Sequence, residues 1–234
     1  IDYQVVIRQL ENKLHVIEAF SQKHDGDFIQ HVSSSVQVVT QESESPNALS
    51  TLKQKITDES SVEDFERNYS TIGVTLSKNY RWLTELYSSS RSFLGRLRQP
   101  QDQSEQRGYL LYPGLLDTGF QLGMQLLSNH FSSNEGFYIP SYMDALHFNS
   151  LPQSPEWVYV ELCGENDQVY VNFEFYTSEG WLVCSVKRLT GVLITNSKMQ
   201  RLLQASTELG WSYQSSWSEV TLNGVRPLSA DNLV

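Results

Sequence analysis

Two residues four positions apart raise the first chemical question. The stretch LLYPGLLDTGFQLGMQLL, residues 110–127, contains a single acid, Asp117, with Gln121 one helical turn further on. Positions i and i+4 of a helix share a face, so the carboxylate and the amide point the same way. An unpaired charge in an apolar setting is costly. Either that face meets water, or the acid moves protons. A carboxyl group beside an amide can donate or take up a proton and can hydrogen-bond a hydroxyl. The plainer alternative is a cap or dipole partner, because the sequence places Asp117 in the first turn of a helix over 114–129. There the dipole favours the charged form, whereas an apolar pocket raises the pKa. The sequence leaves that contest open.

Other chemistry finds little footing. No CxxC, HExxH or clustered His/Asp spacing occurs, so no metal site is expected. No glycine-rich phosphate loop occurs either. Cys163 and Cys184 fall in strand-like segments and read as reduced core thiols rather than a disulfide. Of the histidines, His15 and His24 read as solvated, and His130 and His147 as surface or packing residues.

The 234 residues suffice for one large domain or two small ones. Hydrophobic residues make up 39% and charged residues 19%, an ordinary globular balance. A net charge of −10 argues against a nucleic-acid partner, which needs a basic face. No run of 18 apolar residues occurs, so no membrane span is expected. The first residues, IDYQVVIRQLENKLHV, are polar and strand-like rather than a signal peptide, and they begin in mid-pattern, as an excised fragment would. A cytoplasmic location is expected.

The elements that must position Asp117 follow from periodicity. Residues 3–8, 13–20 and 28–39 alternate as strands. Residues 41–61 are polar and serine-rich and read as a linker. SVEDFERNYSTIG reads as a short helix, with Ser61 as N-cap and Asp64 three residues on. Strands are expected at 80–88 and 91–97, before the helix of 114–129. EWVYVELCG, QVYVNFEFYT and GWLVCSVKRLTGVLI, joined by END and SEG turns, predict an antiparallel meander. Apolar positions occupy more than one stripe of the long helix, so sheet should wrap most of it. Gly119 and Gly123 share a face and should let helix backbone approach sheet. Trp82, Trp157 and Trp181 read as core aromatics. One long helix against a curled antiparallel sheet is an α+β architecture.

These segments, in this order, resemble the dehydratase domains of modular polyketide synthases. YPGLLDTGFQ resembles the family's second-half motif at Pro113, Leu115, Leu116, Asp117 and Gln121, with Tyr112 where the family usually has His. FERNYSTIGVTLSKNYRWLTELYSSSRSFLGRL, GFYIPSYMDALHF and VYVNFEFYTSEGWLVCSVKRLTGVLI resemble the flanking strands. FSQKHDGDFIQHVSSSV is similar to the end of the family's first half, and LGWSYQSSW to the segment that follows these domains. The family's Tyr-Gly-Pro reads Leu76-Ser77-Lys78 here, and its first-half catalytic His has no counterpart in the chain.

The resemblance implies a hot-dog fold, antiparallel sheet around a long helix, as part of a double hot dog. It implies end strands of a first hot dog over 1–40, a linker over 41–61, a second hot dog over 62–195 and a linker-like tail over 196–234. It implies removal of water from a 3-hydroxyacyl group on the phosphopantetheine of an acyl carrier protein, with no cofactor of the domain's own. Asp117 would be catalytic, with Gln121, Tyr112 and Pro113 positioning substrate, and His31 would be structural. Partners would be the acyl carrier protein, neighbouring synthase domains and a second copy. Two alternatives stay open: an inactive dehydratase-like domain with a structural or dimerising role, and a relative that shifts double bonds or closes oxygen rings.

Overall fold

A computed structural model describes residues 3–10, 14–22, 26–38, 47–71, 74–100, 109, 111–131, 136–149, 154–166 and 168–201. The first elements are strands β1 (Tyr3–Gln9), β2 (His15–Gln22) and β3 (Phe28–Val36). They form a sheet of their own, antiparallel throughout, in the order β1-β2-β3. One face carries Tyr3, Val5, Ile7, Val32 and Val36, all exposed.

The polar stretch expected to be a linker instead contains helix α1 (Asn47–Lys55) and the short strand β4 (Asp58–Ser60). The reason is a sparse apolar pattern within a serine-rich composition. Leu49 and Ile56 are buried, and Leu52 packs beside them against Leu94, Trp157, Tyr176 and Leu182. Helix α2 (Val62–Thr71) then starts where its cap demands, with Asp64 N–H donating to Ser61 Oγ at 3.0 Å.

A 3-10 turn at Lys78–Tyr80 delays the next strand, so β5 runs Leu83–Ser88 rather than from residue 80. After it come β6 (Ser92–Leu97), helix α3 (Pro113–Phe131), β7 (Gly136–Tyr142), β8 (Ala145–Phe148), β9 (Trp157–Cys163), β10 (Tyr170–Tyr176) and β11 (Leu182–Thr195). Their sheet has the order β4-β5-β6-β9-β10-β11-β7, with β8 also on β11. The meander expected of β9, β10 and β11 is present, antiparallel at both joins.

Alternation sorts the side chains of this sheet between two faces. Val158, Val160 and Leu162 of β9 join Val171, Phe173 and Phe175 of β10 beneath α3. Trp157 and Tyr159 point the other way, into the smaller cluster under α1. Helix α3 therefore lies on one face and α1 on the other. Ten residues of α3 are buried. Wrapping is incomplete, because Leu116, Asp117 and Phe120 stay half-buried on one side.

The expected closeness of helix and sheet is built on glycine. A Cβ on Gly119 would sit 2.7 Å from the Phe173 ring, and one on Gly123 would sit 3.0 Å from Val171. Trp82 and Trp157 are core residues as expected, but Trp181 is 38% exposed. It follows the left-handed Gly180 in the turn between β10 and β11, beyond the strand ends, where the core covers the ring only in part.

Candidate active site

The site is assembled at the start of α3. Pro113 occupies the first helical position, where its missing N–H costs nothing. The Tyr112 carbonyl accepts from Leu115 N–H at 2.9 Å and Leu116 N–H at 3.2 Å. This corrects the expected register: Asp117 lies in the second turn, and the first turn holds no acid. Helix-dipole stabilisation fades beyond the first turn. The contest posed by the sequence is thereby decided for burial, which raises the Asp117 pKa; a hydrogen bond from Gln121 partly opposes it.

Gln121 is buried and fixed from two directions. Its Nε2 donates to Asp117 Oδ2 at 2.6 Å and to the Tyr80 carbonyl at 3.1 Å. The first bond is the i, i+4 pair read from the sequence. The second reaches the 3-10 turn and ties α3 to it. Tyr69 of α2 adds a third hold, its hydroxyl donating to the Gln121 carbonyl at 2.9 Å. Burial, and then the nearby Asp117 charge, push that phenol far above its ordinary pKa, so it stays a hydrogen-bond donor.

The 3-10 turn is itself clamped. Trp82 Nε1 donates to the Asn79 carbonyl at 2.6 Å. Arg98 Nε donates to the Arg81 carbonyl at 3.2 Å, and its Nη2 to Lys78 at 3.4 Å. The same guanidinium lies 3.5 Å from the centre of the Trp82 ring. A Cβ on Gly114 would stand 2.1 Å from the Asn79 carbonyl oxygen, so the helix start rests directly on the turn. Tyr112, the substitute for the family's His, packs on Trp82 with ring centres 5.2 Å apart. Its contacts are those of a packing residue, and Pro113 is exposed at the helix entrance.

Asp117 and Gln121 are thus brought together, with Tyr112 and Pro113 one turn before them. Tyr69, the Tyr80 carbonyl and Trp82 complete the site, and sequence reasoning missed them. The available signal was Phe65–Tyr69, an aromatic pair at i, i+4 in an otherwise polar helix. No described histidine bonds Asp117. His31 lies in the separate three-stranded sheet, 2.7 Å from Ser21 Oγ. His130 ends α3 against Phe131, about 20 Å along the axis from Asp117 at 1.5 Å per residue. His147 faces Ser185 in the β8–β11 ladder. His24 and the tail motif LGWSYQSSW lie outside the described residues.

Cys163 and Cys184 are both free thiols. No group of His, Cys, Asp and Glu among the described residues could hold a metal ion. No described helix is long and apolar enough to cross a membrane.

Comparison with known proteins adds to this geometry. A family model described as the polyketide synthase dehydratase N-terminal domain matches residues 44–201. No curated protein matches the chain. Among solved structures, the dehydratase domain from the CurF module of curacin polyketide synthase superposes with a TM-score of 0.70 at 19% identity, over 82% of this chain and 68% of that one. A trans-AT polyketide synthase dehydratase from Brevibacillus brevis gives 0.68 at 15% identity, over 81% and 68%. An inactive Asp-to-Asn mutant of the curacin CurK dehydratase gives 0.66 at 17%, over 84% and 68%. An inactive His-to-Phe mutant of CurK matches as well, at 0.67 and 17% identity, over 84% of this chain and 68% of that one. The fold these structures share is the hot dog, an antiparallel sheet with a helix across it.

Proposed function

The chain belongs to the polyketide synthase dehydratase family, and on that premise we propose that it is a dehydratase domain, or part of one, that converts a 3-hydroxyacyl group on an acyl carrier protein to the 2-enoyl group. The observation that carries this reading is Asp117, half-buried beside apolar side chains and held by Gln121 at 2.6 Å.

Loss of water needs two proton transfers. A base removes a proton from C2, which the thioester acidifies; an acid protonates the hydroxyl leaving C3. Each such group contributes roughly 10²–10⁴-fold. Burial raises the Asp117 pKa, and a carboxylic acid that keeps its proton closer to neutrality can hand it to a departing hydroxyl. Gln121 fixes the direction of that carboxyl group. The base is the family's His, and in this reading it comes from a segment outside these residues. Inactivation of the CurK relative by changing either a His or an Asp fits a mechanism shared between two groups. Strands β1–β3 would then close a first hot dog, residues 47–195, with α1 and β4 packed into the same sheet, would form the second, and 196–234 would be a tail linking to the next synthase domain. The chemistry requires no bound cofactor, since the thioester arm belongs to the carrier protein. A homodimer in a cytoplasmic synthase completes the reading.

The test supplies the synthase protein containing this domain with a 3-hydroxyacyl-pantetheine and follows loss of one water by mass. Asp117→Asn is expected to lower turnover by at least about 10²-fold. Equal turnover by both proteins removes Asp117 from the chemistry. A second reading is a dehydratase-like domain kept for architecture. It is favoured by the Leu76-Ser77-Lys78 segment, where the family has Tyr-Gly-Pro, and by the packing role of Tyr112. Absence of turnover in that assay, with the fold intact, selects it. A shifted double bond or an oxygen ring in the product selects altered chemistry.

A further inference from the structure

Between residues 114 and 124, helix α3 is buried except at Leu116, Asp117 and Phe120. The carboxyl group therefore opens onto a strip whose other two members are apolar. Phe120 is held in place. Its ring meets Phe173 edge to face, with centres 5.4 Å apart and planes at 87°. Phe173 is fully buried and abuts the Gly119 backbone, so it cannot retreat. A helical side chain covers the turn N-terminal to its own Cα. Leu116 and Asp117, four and three residues earlier, lie in that turn, on the same helix face as Phe120. A substrate hydroxyl bonded to Asp117 would bring its neighbouring carbons against this ring.

We propose that Phe120 is a specificity-determining residue that limits the bulk a substrate carries on the carbon next to the hydroxyl-bearing one. The inference rests on the dehydratase reading of Asp117. A fixed aromatic wall tolerates a flat or linear neighbour and excludes a branched one. Discrimination by one methyl-sized group against an apolar wall is worth roughly 10–200-fold.

The experiment measures, by calorimetric titration, the affinities of the intact protein for 3-hydroxypentanoyl-pantetheine and 3-hydroxy-4-methylpentanoyl-pantetheine, which differ by the one branching methyl. The comparison is repeated with Phe120→Leu and Phe120→Ala, each checked for wild-type thermal unfolding. The branched-to-linear affinity ratio is expected to rise in the order wild type, Phe120→Leu, Phe120→Ala, by about tenfold or more overall. An unchanged ratio in both folded variants overturns the role of Phe120 while leaving the dehydratase reading standing. Failure of the wild type to bind either thioester overturns that reading, and this inference with it.

Discussion

At the residue scale, the energetics of Asp117 are open to a direct test. Burial raises its folded-state pKa above the unfolded value of about 3.9. The folded state then holds the proton more tightly. The stability this confers is complete below about pH 4 and is lost as pH rises through the folded pKa. Above that window a buried charge is carried at a cost, which Asp117→Asn removes without changing shape. The variant is expected to match the wild type in acid and to exceed it at neutral pH, in urea titrations at a series of pH values. A constant gap across pH counts against burial as the dominant influence. Gln121→Leu should lower stability by about 1–3 kcal/mol, because it takes the donor from the Tyr80 carbonyl and from the half-buried Asp117 carboxyl group. The Asp117–Gln121 pair was legible because the i, i+4 rule is local. Tyr80 and Tyr69, 41 and 52 residues from Gln121, were not, because only the tertiary fold brings them close.

At the element scale, the seating of α3 on β10 depends on the absence of side chains. Gly119→Ala places a methyl 2.7 Å from the Phe173 ring, which has no room to move. Overpacking of this kind typically costs about 1–3 kcal/mol, and a thermal melt should register it. Gly123→Ala, at 3.0 Å from a Val171 methyl, should cost less in the same measurement. The paired glycines were readable from spacing, and so was the meander, since period-two alternation over β9, β10 and β11 has no competing interpretation. Helix α1 was not. Its mean hydropathy is low, and the few apolar residues that define it acquire meaning only against Trp157 and Leu182, more than a hundred residues away. Asp117 falls in the second turn rather than the first because Pro113, one residue before Gly114, opens the helix.

On the scale of the whole molecule, the core has two compartments separated by one sheet, and each thiol reports on a different depth of it. Cys184 is fully buried in β11, and burial pushes its pKa up to about 12. Cys163, at the end of β9, is only partly covered, and burial together with Glu161 pushes it up to about 11. Neither holds appreciable thiolate at neutral pH, and the thiolate is the reactive form. Alkylation in native buffer is expected to be slow at both, with Cys163 reacting first as pH rises. Both should label rapidly once the sheet is unfolded in denaturant. Prompt labelling of Cys184 under native conditions would contradict this packing. That both cysteines would be reduced was legible from their scarcity; their difference in depth was not, because strand order decides it.

The carbonyls of Lys78, Asn79, Tyr80 and Arg81 are all held by side chains, from Arg98, Trp82, Gln121 and Arg98 again. Every residue has a carbonyl, so this support asks almost nothing of the identities at 78–81, while it asks a great deal of the donors elsewhere. The segment that carries the acid's scaffold is therefore free to drift in evolution. A reader comparing aligned letters would discount this stretch and look instead to the donors. Its role is written in their column, not in its own.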